Sequence, residues 1–248
     1  MRKQLGEIQS VETIARDTVQ LVFKNEWIAS QATPGQFLHI TAEGHTLRRP
    51  ISIADVDKNR VEITILFKVI GTGTETIATY QPGMMLDVLG PLGNGFPEGA
   101  ERSVLLIGGG IGVPPLYYLG KKLYQSGVKV TSILGFQTKA SVFYEEEFKA
   151  LGTTYIVTDD GSYGTRGLVT DVISQVRSFE KYYTCGPVPM LRAVQQTITE
   201  QPGYISLEER MGCGIGACYA CVIPAHNDDE YAKVCKDGPV FVSSEVIL

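Results

Sequence analysis

Glu209-Arg-Met-Gly-Cys-Gly-Ile-Gly-Ala-Cys-Tyr-Ala-Cys221, with Cys235 after it, is the stretch on which the reading of this chain turns. Four of the five cysteines fall within 23 residues, spaced C-x4-C-x2-C-x13-C. Three thiolates on a tight loop and a fourth from a later segment form an arrangement that holds a 2Fe-2S cluster. Gly212, Gly214 and Gly216 let the backbone curl around a ball of iron and sulfide. The curled loop points N–H groups at sulfur, which steadies a reduced cluster. Three other readings compete. Structural zinc usually wants paired C-x2-C knuckles, and only Cys218 and Cys221 form one. Two disulfides would suit a small secreted domain, and nothing in the sequence signals secretion. Four inert thiols at this spacing would be a coincidence. The spacing favours Cys213, Cys218, Cys221 and Cys235 as iron ligands.

Upstream of the cysteines lie about 200 residues, enough for two domains. An apolar content of 44% and a charged content of 20% describe a chain able to build real cores. A net charge of −5 with no basic run argues against a nucleic-acid partner. No apolar run approaches the roughly 20 residues that span a bilayer, and Met1-Arg-Lys-Gln-Leu-Gly-Glu leads into no apolar signal segment. With iron held by free thiolates, the expectation is a cytoplasmic protein with no membrane partner.

Short alternating segments between turn residues dominate the first hundred positions, as in an antiparallel sheet. Thr18–Phe23, Gln36–Ile40 and Met85–Leu89 read as strands, with Pro34-Gly35 and Pro82-Gly83 as turns. In Val61–Val69, the residues Val61, Ile63, Ile65, Phe67 and Val69 share one face. Six or so strands without long helices favour a small closed barrel. Two segments carry more than scaffold chemistry. In Arg48-Arg49-Pro50-Ile51-Ser52-Ile53 an arginine and a hydroxyl three residues apart, on extended backbone, would meet a pyrophosphate and a flavin edge together. An ordinary edge strand opened by proline is the equal alternative. In Gly71–Ala78 the glycines precede a short helix on which Thr72 and Glu75 would make a capping box. Free N–H groups at such a start attract phosphate, and a plain capped connection is the other reading.

The period then changes. Ser103–Ile107 is a short apolar strand, Gly108-Gly-Gly-Ile-Gly-Val-Pro-Pro115 a glycine turn, and Leu116–Tyr124 a helix. Val128–Leu134, Tyr155–Thr158 and Lys181–Cys185 continue the alternation of strand and helix that makes a doubly wound sheet. Asp159 and Asp160 would touch a ribose or simply form a turn. Lys139 stands alone after the second strand, where a 2′-phosphate would want a basic pair, so NAD is favoured over NADP. No Ser–His–Asp set and no acid–base carboxylate pair stands out among the three histidines and the acidic residues. Such a chain carries electrons.

In this order the segments resemble the ferredoxin–NADP reductase superfamily. The resemblance implies that Arg49, Pro50, Ile51 and Ser52 form a flavin-holding strand, with Ile51 where an aromatic often stacks on the ring. It implies that Leu66, Phe67 and Lys68 approach FAD from the side, and that Gly73 and Thr74 bind its pyrophosphate. Gly110 and Gly112 would lie under the dinucleotide, and Cys185 near the nicotinamide unless it is only a small buried residue. One branch of the superfamily carries the terminal cysteine module, and Leu207-Glu-Glu-Arg-Met-Gly-Cys-Gly resembles it most specifically: the electron-transfer subunits of type B dihydroorotate dehydrogenase. That likeness implies FAD, a 2Fe-2S cluster and NAD as acceptor. It implies a catalytic FMN subunit that oxidises dihydroorotate in pyrimidine synthesis, as a heterotetramer of two of each. The expected architecture is an antiparallel flavin-binding β barrel (1–99), an α/β nucleotide-binding lobe (100–203) and a small 2Fe-2S module (204–248). Two alternatives stand beside it: a related NAD(P)H–ferredoxin or sulfide reductase subunit, and a redox-sensing binding module without turnover.

Overall fold

The computed structural model describes residues 1–97, 99–176 and 178–248. Six strands come first: β1 (Arg2–Ala15), β2 (Thr18–Lys24), β3 (Phe37–Ile40), β4 (Arg49–Asp57), β5 (Glu62–Lys68) and β6 (Met85–Leu92). They close into an antiparallel barrel in the order β1-β2-β5-β4-β3-β6. Alternation drives the closure: Leu21 and Phe23, Leu38 and Ile40, Ile63 and Ile65, Leu86 and Val88 all point inward and are fully buried. Closure also leaves no unpaired sheet edge. Two short helices join these strands. Helix α1 (Glu26–Gln31) starts at Asn25, whose side chain accepts from the Ile28 N–H at 2.8 Å. Helix α2 (Thr72–Ala78) starts one residue earlier than the sequence pattern indicates. The reciprocal contact expected between Thr72 and Glu75 is made instead by Thr74, whose hydroxyl oxygen accepts from the Ile70 and Gly71 N–H groups at 3.1 and 3.3 Å.

The second lobe holds β7 (Ser103–Gly109), β8 (Lys129–Phe136), β9 (Gly152–Thr158), β10 (Thr165–Arg166), β11 (Lys181–Cys185) and β12 (Gly203–Ser206). Its helices are α3 (Val113–Gln125), α4 (Glu145–Lys149), α5 (Val169–Ile173) and α6 (Val188–Thr197). The parallel strands are apolar on both faces, as burial from two sides requires. Val104, Leu106, Val130 and Leu134 pack toward α3 and α4, while Leu105, Ile107, Ile133 and Val157 pack toward α5 and α6. The strand order β10-β9-β8-β7-β11-β12 reverses direction at β7, so a crevice opens beyond its carboxyl end. Helix α3 fastens the lobe to the barrel through an ion pair of Lys121 with Asp55 at 2.6 Å and a Tyr118 hydroxyl donating to the Ala32 carbonyl at 3.1 Å.

The last segment adds a hairpin of β13 (Val222–Pro224) and β14 (Tyr231–Lys233), and then β15 (Val240–Val242). Strand β15 pairs antiparallel with β12 and completes the nucleotide sheet. The division expected at residue 203 therefore falls on the first residue of β12, and the nucleotide sheet takes that whole strand together with one from the tail. The hairpin has no core of its own. Met211, Ile223, Val234 and Phe241 pack with Phe37 and Leu92 of the barrel and with Leu191 and Ile205 of the second lobe. Among the described residues, no helix is long and apolar enough to cross a membrane.

Candidate flavin, nucleotide and cluster sites

A cavity of about 560 Å³ opens where β4, β5 and α2 meet. Arg49, Pro50, Ile51, Ser52, Leu66, Phe67, Lys68, Gly73 and Thr74 all line it. The strand pattern explains this convergence: β4 and β5 are neighbours, and α2 starts four residues after β5 ends. The Arg49 guanidinium lies directly over Gly73, where an added Cβ would run into it. His45 braces the pair, with one ring nitrogen 3.3 Å from Arg49 Nη2 and the other 3.3 Å from the Thr76 hydroxyl. A guanidinium beside a helix start, whose first N–H groups lack intrahelical acceptors, makes an anion cradle. Sequence reasoning missed Phe37, which lines the cavity from β3 of the barrel, and Pro239 and the run Leu207–Met211, which cover it from the C-terminal segment. No local pattern marks these residues, because their place depends on how the lobes dock.

A second cavity of about 470 Å³ lies at the carboxyl ends of β7, β8, β9 and β11. Gly110, with φ +53°, is on its wall together with Gly186, Pro187 and Met190. Gly112 and Cys185 meet each other behind that wall. A Cβ on Gly112 would strike the Cys185 backbone, and the Cys185 side chain is fully buried. Burial pushes its thiol well above the usual range, with the Glu208 carboxyl adding to the rise. Asp159 lines the cavity, whereas the Asp160 carboxylate is engaged by Ser162, accepting from its N–H at 2.9 Å and its hydroxyl at 2.6 Å.

Lys68, Ile111 and Glu208 belong to both cavities and form their common wall. Glu208 is open to the two spaces beside it, yet the surrounding protein desolvates its carboxyl and raises its pKa. It lies inside the motif quoted at the outset of the sequence reading, but nothing in that motif announces a carboxylate at a junction.

Beyond the first cavity sits the cysteine loop. Gly214 and Gly216 adopt φ values of +71° and +82°, the left-handed turns the curl requires, while Gly212 brings the backbone close to Cys218 Sγ. N–H groups turn toward sulfur: Ile215 and Cys218 each donate to Cys213 Sγ at 3.4 Å, and Gly216 donates to Cys235 Sγ at 3.2 Å. Burial opposes ionisation of Cys213, but these donors outweigh it and hold the thiol down to about 6. Burial, followed by the adjacent Cys221, pushes Cys235 up to about 12. All four cysteines are free thiols, and they pair as Cys213 with Cys218 and Cys221 with Cys235. Four thiols on and beside a curled loop, with N–H groups aimed at sulfur, fit the ligand set of an iron–sulfur cluster.

Three family matches cover the chain in the same order. Residues 6–96 match an oxidoreductase FAD-binding domain, residues 106–196 an oxidoreductase NAD-binding domain, and residues 208–247 the iron–sulfur cluster binding domain of dihydroorotate dehydrogenase B. A protein of Shouchella clausii, named dihydroorotate dehydrogenase B (NAD(+)), electron transfer subunit, is 51% identical over the full length of both chains. The chain belongs to this family of electron transfer subunits. A protein of the same name from Geobacillus kaustophilus is 51% identical over 97% of each chain. Among solved structures, a chain of the NADH-dependent reduced ferredoxin–NADP oxidoreductase superposes with a TM-score of 0.91 at 29% identity, covering 98% of this chain and 90% of that one. The ferredoxin reductase of carbazole 1,9a-dioxygenase, at 21% identity and a TM-score of 0.67, covers 79% of this chain and 65% of its own and shares the fold. As a dihydroorotate dehydrogenase B electron transfer subunit, the chain is an oxidoreductase component with FAD, NAD and iron–sulfur domains. Of the three readings weighed from the sequence, this is the one that the full-length relatives bear out.

Proposed function

We propose that this chain takes electrons from an FMN-containing catalytic subunit that oxidises dihydroorotate and delivers them to NAD, in the cytoplasm, within a heterotetramer of two chains of each kind. Cys213, Cys218, Cys221 and Cys235 hold the 2Fe-2S cluster. Arg49, Gly73 and Thr74 hold the FAD pyrophosphate. Pro50, Ile51, Ser52, Leu66, Phe67 and Lys68 surround the flavin ring. Gly110 lies against the dinucleotide, with Gly112 and Cys185 shaping the floor beneath it. Residues 1–99 carry most of the flavin site, 100–203 most of the nucleotide site and 204–248 the cluster loop, and the last segment also lends Leu207–Met211 and Pro239 to the flavin cavity.

One observation carries this reading: the three sites are joined in series. Met211 lines the flavin cavity and stands two residues before Cys213, and Lys68, Ile111 and Glu208 join the flavin cavity to the nucleotide cavity. The chemistry that a flavin supplies in this position is conversion between single electrons and a hydride, which an iron–sulfur cluster alone cannot perform on nicotinamide. The protein's part is to keep the three sites adjacent and to shield them from water. Ile215 and Tyr219, 44% and 68% exposed, give the cluster loop an apolar outer face for the catalytic subunit.

Anaerobic co-purification with that subunit tests the reading. The complex should contain FAD, FMN and about two irons per electron-transfer chain. It should reduce NAD with dihydroorotate, whereas this chain alone should oxidise NADH with an artificial dye only. Colourless, iron-free material, or zinc in place of iron, would overturn it.

A further inference from the structure

Outside its sulfur atoms, the cluster loop carries a second set of contacts, centred on Gly216. This residue stands between the ligands Cys213 and Cys218, and its N–H donates to Cys235 Sγ at 3.2 Å. Its carbonyl accepts from Lys233 Nζ at 2.9 Å. The same ammonium lies over the Tyr219 ring, 4.2 Å from the centroid. The stem of Lys236 also lies against Gly216, where an added Cβ would meet its Cδ at 2.7 Å. Two lysines flanking Cys235 thus clasp the ligand loop at one residue.

A lysine ammonium is strongly hydrated and its stem is flexible, so most end free in water. Lys233 does not. It is half-buried at the end of β14 and forms no ion pair among the described residues. The Asp237 carboxylate accepts from the Lys233 backbone N–H at 2.8 Å and is not paired with its ammonium. A backbone carbonyl and an aromatic face hold the cation without neutralising it. The result is a full positive charge kept against a loop of thiolates, in a chain whose net charge is −5.

Reducing an iron–sulfur centre adds one electron and one unit of negative charge, with no bond made or broken at this residue. A fixed cation at the ligand loop stabilises the more negative form over the less negative one. The buried side chains of Cys221, Ala232, Val234 and Cys235 keep water off one side and weaken its screening.

We propose that Lys233 sets the reduction potential of the cluster held by this loop, raising it so that single electrons are taken readily from the catalytic subunit. Lys233 is a positioning residue that acts through Gly216 and through its charge. The inference rests on the cluster assigned under the proposed function.

The test is an anaerobic redox titration of the complex, followed by electron paramagnetic resonance for the cluster and by absorbance for the flavins. Lys233→Gln keeps a donor for the Gly216 carbonyl and removes the charge. It should shift the one-electron equilibrium about tenfold toward the oxidised cluster, a midpoint lower by about 59 mV, with flavin midpoints and iron content unchanged. Lys233→Arg should keep the wild-type midpoint to within about twofold in the same equilibrium. Asp237→Asn removes an exposed charge of the opposite sign beside the same residue and should shift the equilibrium the other way, by about twofold. An unchanged midpoint in Lys233→Gln, or an Arg variant that falls as far as the Gln variant, would overturn the inference and leave the cluster assignment intact. Should Lys233→Gln fail to hold iron, Asp237→Asn decides: a raised midpoint supports the charge, and an unchanged or lowered one overturns it. A wild-type complex without iron would instead overturn the cluster itself, and this inference with it.

Discussion

The barrel and the cluster module are neighbours built by opposite means. Each barrel strand is paired on both edges, and the interior is filled from the barrel's own sequence by Leu21, Phe23, Ile63 and Ile65. The cluster module has two paired strands of three residues each, and its apolar side chains share a core with Phe37 and Leu92 of the barrel and Leu191 and Ile205 of the second lobe. Cys221 and Cys235 are themselves members of that shared core. Iron binding and docking should therefore be coupled in the module, whereas the barrel core contains no cysteine and should fold without the cluster. The barrel is a scaffold that can wait for its flavin. The module is a seam that its metal closes.

The largest expected effect tests that separation through function. Cys218→Ser removes one thiol from the Cys213 pair, so the cluster is lost or badly held. Reduction of NAD by the catalytic partner should fall by at least about a thousandfold, while NADH–dye activity stays within about threefold of wild type. Steady-state assays of the complex and of the isolated chain measure the two. A parallel collapse of both activities would mean that the flavin barrel depends on the metal after all.

Core truncations probe the same separation through stability. Phe23→Ala empties a fully buried site inside the barrel and should cost roughly 3–5 kcal/mol in denaturant unfolding. Its iron content should be unchanged under native conditions. Phe241→Ala, in the shared core and 7% exposed, should cost less in unfolding but release iron faster to a chelator. If the two variants lose iron at the same rate, barrel and module are a single cooperative unit.

Much of this contrast was legible in the sequence, and the exceptions have causes. The period-two pattern of Val61–Val69 disclosed the barrel because Ile63, Ile65 and Phe67 all face its core, while on the other face only Leu66 is buried, against the second lobe. The cysteine spacing disclosed the cluster because two irons need four thiolates on a loop of fixed length. Strand β1 escaped notice because most of its residues, from Arg2 to Ala15, are exposed or half-buried and do not alternate cleanly. The capping register on α2 was read one residue late because Thr72 and Thr74 are both capable caps, and only the position of Gly71 decides between them. Membership of β15 in the nucleotide sheet and the place of Glu208 depend on docking between distant segments, which no local window contains.

A smaller effect belongs to the flavin cradle. Gly73→Ala puts a methyl group into the Arg49 guanidinium, which must then move off the cavity wall. FAD should be held roughly tenfold more weakly, as measured by the flavin retained after gel filtration at low concentration. The iron–sulfur spectrum should not change, since the cradle is on the barrel side. A change in that spectrum would show that the cavity and the cluster loop are more tightly coupled than their separate cores suggest.

The smallest effect comes from the seam itself. His39 leaves the barrel on β3 and packs against the cluster loop, where an added Cβ on Gly214 would come within 2.6 Å of its Nδ1. It is 1% exposed, and neither ring nitrogen has a hydrogen-bond partner among the described residues. Burial, and after it the charge of Arg48, lowers its pKa to about 4. An unfolded histidine titrates near 6.5, so between these values the unfolded chain binds the extra proton and the folded chain does not. The contribution of His39 is therefore complete above about pH 6.5 and drains away as the pH falls toward 4. From pH 7.5 to 5.5 the loss should be about 1 kcal/mol. His39→Gln cannot be protonated and should lose less stability than wild type over that interval, in matched denaturant titrations of cluster-containing protein. Acid also attacks the cluster, which is common to both proteins, so the difference between them isolates the imidazole. Equal losses would mean that the ring finds a proton acceptor or water at the seam, and that barrel and module meet less closely there than the packing of Gly214 on His39 implies.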